Sequence, residues 1–270
     1  RQSLIVETDL LKKLKHDNLP SIIDIIDQDD NFLIVMDYIE GITLDKVIKE
    51  YGPQKQDDVV NWAIQLCDVL CYLHTRKPPI IYRDMKPSNV MLKYDGSVVL
   101  IDFGTAREYK ERASGDTACL GTQGYAAPEQ FGGQGQTDAR TDIYCLGATM
   151  YHLLTGHNPS EPPYEMYPIT YWDASLSSGL EGIILKCTQK NPEDRYQTAE
   201  ELMYALQNYR DLDAPMIRKY KHRVISFATS AALAVLCGVM AVTMHVSARG
   251  QQKSEYAYLI DAAQKASSQE

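Results

Sequence analysis

An uncharged run near the C-terminus constrains this chain more than any other feature of its sequence. The 23 residues from Val224 to Val246 contain no Asp, Glu, Lys or Arg. As an α-helix they would span about 34 Å, which exceeds a hydrocarbon core of about 30 Å. The alternative is a buried core helix, but such a helix rarely continues for so long without a polar face. The run therefore predicts a single transmembrane helix over 224–246.

The flanks of this run predict its orientation. Six basic residues lie near it: Arg218, Lys219, Lys221 and Arg223 before it, and Arg249 and Lys253 after it. The positive-inside rule places the more basic side in the cytoplasm. We therefore expect a single-pass protein of the cell membrane. Residues 1–223 would be cytoplasmic, with 211–223 as a basic juxtamembrane linker, and 247–270 would begin an extracytoplasmic region.

Composition excludes several classes of protein. Of the 270 residues, 44% are hydrophobic and 23% are charged, which is typical of a globular rather than a disordered chain. The formal net charge is -9 without a clustered basic face, so we expect no nucleic-acid partner. The six cysteines form no CxxC pair and have no zinc-ligand spacing, which fits a reduced, cytoplasmic setting for most of the chain.

Hydrophobic periodicity predicts strands early in the chain and helices later. TDLLKKLKHDNL is typical of a helix, and IIDIID and FLIVMDY, separated by a turn, are typical of a β-hairpin. Two helices are predicted over Leu44–Tyr51 and Asp57–His74, and two short strands flank the turn at 94–96. From Ala127 onward the pattern is mainly helical. This order predicts an α+β chain with an incomplete small sheet.

One loop and one turn carry the residues suited to chemistry. Asp84, Lys86 and Asn89 lie between apolar segments, and Asp102 follows the next strand pair. A carboxylate can accept a hydroxyl proton, and an ammonium can offset phosphate charge. An amide oxygen and a second carboxylate can hold a divalent metal such as Mg²⁺. The pattern therefore indicates phosphoryl transfer.

These residues lie within motifs that resemble a known family. In order along the chain the motifs are YRDMKPSN, IDFG, GTQGYAAPEQ, RTDIYCLG and NPEDRY. Over about residues 1–210 the chain resembles the bacterial members of the eukaryotic-like (Hanks-type) serine/threonine protein kinases. The resemblance implies an α+β, protein-kinase-like fold followed by the one transmembrane helix. Residues 1–40 would be the remainder of the small β lobe and the hinge, and 41–210 the mainly helical large lobe.

The resemblance also implies the chemistry of the loop. Asp84 would be the catalytic base for a Ser or Thr hydroxyl, and Lys86 would neutralise the transferring phosphoryl group. Asn89 and Asp102 would hold Mg²⁺ for ATP. The form DMKPSN is the serine/threonine version of this loop, so the implied substrates are Ser and Thr residues of proteins.

Five further residues match positions that bind the nucleotide in the family. Met36 would be the gatekeeper, and the backbone of Asp37 and Ile39 would meet the adenine edge. Met91 would form the floor of the pocket. Glu7 matches the helix glutamate that pairs with a phosphate-binding lysine.

Other matches imply structural roles. Glu129 and Arg195 match a buried ion pair that anchors the activation segment. Asp142 matches the helix residue that holds the backbone of the catalytic loop, and Thr122 matches the threonine that contacts the catalytic Asp and Lys. The family's usual His is replaced by Tyr82, which should keep the packing and lose one ring nitrogen.

Arg83 indicates regulation. An arginine directly before the catalytic Asp usually accompanies control by phosphorylation of the activation segment, because it needs an anionic partner. The candidate sites are Ser114 and Thr117, and Thr117 is favoured by its position. The alternative is that both are ordinary solvated hydroxyls.

The chain also departs from the family pattern. Only six residues precede Glu7, and they contain neither the expected lysine nor a glycine-rich loop. The chain would then be a piece of an active kinase or, alternatively, a membrane-tethered pseudokinase scaffold. The retained Asp84, Lys86, Asn89 and Asp102 favour an active parent, although this polypeptide alone should have little activity. A binding module without kinase ancestry would leave the ordered motifs unexplained.

Small residues on the predicted membrane helix indicate a possible homodimer. Ser230, Ala234 and Gly238 recur every four residues, which leaves one face open to close helix pairing. Such residues also occur by chance in membrane helices.

Overall fold

The computed structural model describes residues 12–28, 31–103, 107–108, 121–131 and 136–267. The chain divides into two compact units, Arg1–Ala214 and Pro215–Glu270. Glu7, Ser114 and Thr117 lie outside the described residues.

The first strands in the described part of the first unit form the predicted hairpin. Strands β1 (Ile22–Gln28) and β2 (Asn31–Met36) pair antiparallel, with Ile26 opposite Leu33. Among the side chains described in this hairpin, Ile23, Ile26, Leu33 and Val35 are large, apolar and exposed. The register places Ile26, Leu33 and Val35 on one face of the hairpin.

The helix predicted over TDLLKKLKHDNL is wrong for its described part. Residues 12–19 form turns and irregular loop rather than a helix. The Asn18 side chain donates to Gln65 Oε1 at 3.1 Å and to Val98 O at 2.7 Å, and Leu100 N donates to Asn18 O at 2.9 Å. These long-range hydrogen bonds override the helical periodicity.

A second set of short strands follows. Strand β3 (Ile42–Thr43) pairs with β5 (Val90–Leu92), which pairs with β6 (Val98–Leu100), all antiparallel. Strand β4 (Ile80–Ile81) pairs antiparallel with β7 (Arg107–Glu108). These two small sheets carry the loops that contain the chemical residues.

Six α-helices in the described part of this unit form the remaining framework. They are α1 (Leu44–Tyr51), α2 (Gln56–His74), α3 (Ala139–Thr155), α4 (Ile169–Trp172), α5 (Ser178–Cys187) and α6 (Ala199–Gln207). Helix α2 packs against α3 and α6, and α3 packs against α5. Buried side chains such as Leu66, Leu70, Leu146 and Leu202 fill the space between them. The unit is thus α+β, with most of its core between helices, as predicted.

Local sequence explains where several helices begin and end. The Asp138 side chain accepts from Arg140 N at 2.8 Å at the start of α3, and Thr198 accepts from Glu201 N at the start of α6. Gly156 ends α3 with a φ of 72°, a left-handed conformation that glycine adopts without a steric penalty.

The described residues of the second unit lie in one helix, α7 (Ala214–Ser267), of 54 residues, which begins at the last residue of the first unit. Its segment Lys221–Ile260 is long and apolar enough to cross a membrane, and none of the apolar stretch is buried. The predicted boundaries at residues 223 and 246 lie within this continuous helix.

Candidate active site

The loop after β4 is held by one buried carboxylate. Asp142 on α3 is 0% exposed, and its Oδ2 and Oδ1 accept from Tyr82 N at 3.0 Å and from Arg83 N at 2.7 Å. Arg83 has a φ of 69°, in the left-handed region that non-glycine residues rarely adopt. Asp142 therefore fixes the backbone directly before Asp84.

The Asp84 carboxylate is surrounded by donors. Lys86 Nζ donates to its Oδ2 at 2.8 Å, and Asn89 Nδ2 donates to the same oxygen at 3.0 Å. Thr122 Oγ1 donates to Oδ1 at 2.9 Å and accepts from Lys86 Nζ at 2.7 Å. The structure thus brings Asp84, Lys86, Asn89 and Thr122 into one cluster.

This cluster is reachable from solvent. The Asp84 and Lys86 side chains are 12% and 21% exposed. The neighbouring donors fix the orientation of the carboxylate, while the remaining exposure leaves it open to a small polar group. Such a carboxylate can accept a proton from a hydroxyl that binds beside it.

Asp102 lies on a segment bonded to the same loop. Ile101 N donates to Asn89 O at 2.9 Å, which places the Asn89 and Asp102 segments side by side. Asp102 is exposed and has a φ of 67°. Asp102 therefore directly follows a residue that is hydrogen-bonded to the loop, and it has an unusual backbone conformation.

Tyr82 joins the loop to this turn. Its ring is 0% exposed and meets Phe103 edge-on at a centroid distance of 5.7 Å, while its hydroxyl donates to Ile101 O at 2.5 Å. Burial, together with the charge of Asp102, raises the pKa of Tyr82 well above its usual range, so the hydroxyl stays a donor. Tyrosine here both packs and reaches the next segment.

The donor set suits a hard divalent cation. Asn89 and Asp102 offer an amide oxygen and a carboxylate, and Asn89 uses its nitrogen to contact Asp84. Among the described residues no group of three or more His, Cys, Asp or Glu could hold a metal. Mg²⁺ usually takes only one or two protein carboxylates or amides and completes its shell with water and phosphate, so two oxygen donors fit it.

Of the residues predicted to bind the nucleotide, Met36, Asp37, Ile39 and Met91 lie in the described part of the chain. Met36 ends β2, and Met91 is half-buried in β5 opposite Thr43 and Val99. Asp37 is exposed and its N–H donates to Ser21 O at 3.0 Å, and Ile39 is half-buried. A groove beside 37–40 is lined by Leu19, Pro20 and the turn at 93–95 rather than by the Asp84 cluster, so we assign it no role.

Glu129 and Arg195 form a buried, bidentate pair. Arg195 Nη1 and Nη2 donate to the two Glu129 carboxylate oxygens at 2.7 and 2.9 Å, and the side chains are 0% and 8% exposed for Arg195 and Glu129. Arg195 also donates to the carbonyls of Gln189, Arg140 and Lys190, and Thr141 donates to Glu129. Both charges are therefore well compensated inside the molecule.

Two residues beside the loop escaped the sequence analysis. His74 Nε2 lies 2.8 Å from Asp142 Oδ2, and Gln130 Nε2 donates to Arg83 O at 2.8 Å. His74 ends a long amphipathic helix and Gln130 closes the motif GTQGYAAPEQ, but neither position has a local pattern that predicts a contact with the loop.

Comparisons with known proteins agree with the motifs. A family model described as protein kinase domain matches residues 1–206. The serine/threonine-protein kinase PrkC of Bacillus subtilis is 32% identical over 219 residues, covering 77% of this chain and 33% of that protein. PknB of Mycobacterium tuberculosis, also named a serine/threonine-protein kinase, is 35% identical over 187 residues, covering 63% and 29%. The chain thus spans about a third of the length of the curated relatives it matches.

Protein kinases as a family use ATP together with a divalent metal. The match of the family model extends over most of this chain, and the two relatives are bacterial serine/threonine kinases. The chain belongs to the protein kinase family, among its bacterial Hanks-type serine/threonine members.

Proposed function

We propose that this chain carries the catalytic large lobe of a membrane-bound kinase that transfers the γ-phosphate of ATP to Ser and Thr hydroxyls of proteins. The observation that carries the proposal is the Asp84 carboxylate, held by Lys86, Asn89 and Thr122 at 2.8 to 3.0 Å and still partly exposed.

In this proposal the chain's own residues position the substrate hydroxyl and offset the charge of the transferred phosphoryl group. A substrate hydroxyl would donate a hydrogen bond to Asp84, which orients the hydroxyl oxygen towards the γ-phosphorus of ATP. As the bond between that oxygen and the phosphorus forms, the bond from the γ-phosphorus to the oxygen bridging to the β-phosphate breaks, Asp84 accepts the hydroxyl proton and ADP leaves. Lys86 places its ammonium beside the same carboxylate, where it can also offset charge on the transferred group. Thr122 fixes the positions of the Asp84 and Lys86 side chains through its hydrogen bonds to both.

The proposal assigns the cofactor sites as the family resemblance implies them. Asn89 and Asp102 are the residues that would hold Mg²⁺, which, when bound, offsets the negative charge of the phosphates. Met36, the backbone of Asp37 and Ile39, and Met91 would contact the adenine. Glu7 would pair with a phosphate-binding lysine.

Regulation by phosphorylation is proposed at the segment before Gly121. Arg83 directly precedes Asp84, so a phosphate that reaches its side chain would meet a cation beside the catalytic loop. Thr117 is the favoured site and Ser114 the second. Phosphosite mapping of the active protein tests this, and the absence of phosphate from both residues would contradict it.

Membrane attachment and signalling form the second part of the proposal. The exposed apolar surface of α7 and the four basic residues before it support a span at 224–246, a cytoplasmic kinase unit and an outer tail. The domain boundaries at 40, 210, 223 and 246 belong to this proposal. The tail would lead to a sensor, and the face with Ser230, Ala234 and Gly238 would pair two copies. Crosslinking in membranes that yields only monomers with phosphorylation intact would contradict the pairing.

The 270-residue polypeptide by itself is expected to transfer little phosphate. It contains neither a glycine-rich loop nor a strand lysine before Glu7, and phosphoryl transfer depends almost wholly on positioning. Robust transfer by this polypeptide would contradict that expectation.

The test uses the protein expressed from its natural gene and purified from membranes. Labelled γ-phosphate from ATP should appear on Ser and Thr of an added protein or of the chain itself. Bound ATP without any transfer would instead favour the membrane-tethered pseudokinase scaffold.

A further inference from the structure

Arg83, the residue before Asp84, is held in an unfavourable backbone conformation by hydrogen bonds to both its N–H and its carbonyl. Arg83 has a φ of 69°, and a non-glycine residue keeps such a conformation only when its surroundings impose it. Its N–H donates to Asp142 at 2.7 Å, and its carbonyl accepts from Gln130 Nε2 at 2.8 Å. Asp142 therefore holds the N–H of Arg83, and Gln130 holds its carbonyl.

Both ends of the Gln130 amide are used. While Nε2 donates to Arg83 O, Oε1 accepts from Ala127 N at 2.9 Å, and the side chain belongs to a residue only 2% exposed. Turning the amide over would set its oxygen against a carbonyl and its nitrogen against an N–H. The two contacts therefore fix the orientation of the amide and tie residues 127–130 to the catalytic loop.

A glycine leaves the space that Gln130 occupies. A Cβ added to Gly121 would lie 2.7 Å from Gln130 Nε2 and 2.7 Å from Ala126 Cβ. The next residue, Thr122, contacts Asp84 and Lys86. Gln130 thus lies between the stretch that carries Thr122 and the strained peptide that carries Asp84.

We propose that Gln130 is a positioning residue, which holds the Arg83 peptide in its strained conformation and so makes the placement of Asp84 depend on the segment 121–131. The catalytic consequence rests on the proposed kinase function. The structural consequence, a catalytic loop that loosens when the Gln130 donor is lost, does not.

Two variants of similar size separate this role from simple packing. Gln130→Glu keeps an oxygen for Ala127 N–H but sets a carboxylate oxygen against the Arg83 carbonyl. Gln130→Met keeps the length and loses both hydrogen bonds. Gln207→Met, at an exposed position of α6, is the matched control.

Hydrogen exchange of the full chain gives the first readout. The amides of residues 82–86 should exchange about tenfold faster in both Gln130 variants, because both variants lose the donor to Arg83 O. Their exchange rates should be unchanged in the control. Wild-type protection in Gln130→Met would overturn the proposal, because Met offers the Arg83 carbonyl no donor, whereas a protonated Glu can replace the donor. Should the Met variant fail to fold, wild-type protection in Gln130→Leu would have the same force.

Steady-state kinetics of the protein from its natural gene give the second readout. Both Gln130 variants should lose kcat by roughly 10- to 100-fold, with the KM for ATP little changed, because the base is misplaced rather than the nucleotide site. Faster exchange without a change in kcat would overturn the positioning role. A wild type that transfers no phosphate would contradict the proposed function, and the exchange result would still decide whether Gln130 holds the loop.

Discussion

Two ion pairs of nearly equal length lie in very different surroundings. In the loop pair, Lys86 Nζ and Asp84 Oδ2 are 2.8 Å apart and the side chains are 21% and 12% exposed. In the anchor pair, Arg195 Nη1 and Glu129 Oε1 are 2.7 Å apart and the side chains are 0% and 8% exposed. Distance alone therefore does not separate a site for chemistry from a structural contact, whereas exposure and the identity of the other partners do.

The partners explain the difference. The other guanidinium hydrogens of Arg195 donate to three backbone carbonyls, so every donor of the anchor pair has a partner within the protein. The loop pair shares its atoms with Thr122 and Asn89, side chains that can also serve a bound substrate or metal. We expect the anchor pair to determine stability and the loop pair to determine rate.

Replacing the cation of each pair with Met tests whether the two pairs differ in this way. Arg195→Met should lower the free energy of unfolding by about 3–5 kcal/mol, because it leaves the Glu129 carboxylate buried without its cation. Urea unfolding of the detergent-solubilised chain, followed by tryptophan fluorescence, measures it, since Trp62 and Trp172 both lie in the first unit. A loss below about 1 kcal/mol would show that the pair is not an anchor.

Lys86→Met is the counterpart. Phosphate transfer by the protein from its natural gene should fall by about 10²-fold or more, since an oriented cation beside the reacting groups is lost. The free energy of unfolding should change by less than about 1 kcal/mol, because the pair is partly solvated. A variant that is strongly destabilised but fully active would reverse the assignment of the two pairs.

A buried neutral contact provides an intermediate effect that depends on pH. His152 Nδ1 lies 2.6 Å from the Tyr125 hydroxyl, and burial lowers the pKa of His152 from 6.5 to about 4 against the opposing charges of Asp45 and Glu161. The unfolded chain then binds a proton that the folded chain does not, so stability should fall as the pH drops from about 6.5 to 4.

His152→Gln should flatten that part of the profile, by no more than about 3 kcal/mol at pH 4. Urea unfolding at a series of pH values compares the two proteins. Parallel profiles would show that His152 is not the group responsible.

The smallest expected effect concerns the hydroxyl of Thr122, which contacts both members of the loop pair. Thr122→Ala should slow transfer by about tenfold, because it removes a donor to the Asp84 carboxylate. Thr122→Ser keeps the hydroxyl and should retain most of the rate. Equal loss in both variants would assign the effect to the methyl group instead.

Much of this arrangement could be predicted from the sequence, because local patterns specify it. The short apolar segments IIDIID and FLIVMDY on either side of a turn predicted the hairpin β1–β2, and the 3.6-residue spacing predicted α2 to within one residue of its start. The motif around Asp84 placed its polar residues close together in the chain, so their meeting in space required only a tight loop.

Other features depend on contacts between distant parts of the chain. Gln130 meets Arg83 across 47 positions and His74 meets Asp142 across 68, and neither pairing leaves a periodic or compositional signal. The helix expected near Lys15 is absent from residues 12–19 for the same reason, since Asn18 bonds to Gln65 and Val98 instead. Tertiary hydrogen bonds overrode the local propensity there.

The role of Asp84 as proton acceptor can be tested by measuring the transfer of labelled γ-phosphate by the protein from its natural gene, with Asp84→Asn measured beside the wild type. The substitution keeps the size and the hydrogen-bonding oxygen of the side chain but removes the proton acceptor. We expect label on Ser and Thr with the wild type and a loss of about 10²- to 10⁴-fold in the variant, with unfolding unchanged. Equal transfer by both proteins would contradict this role.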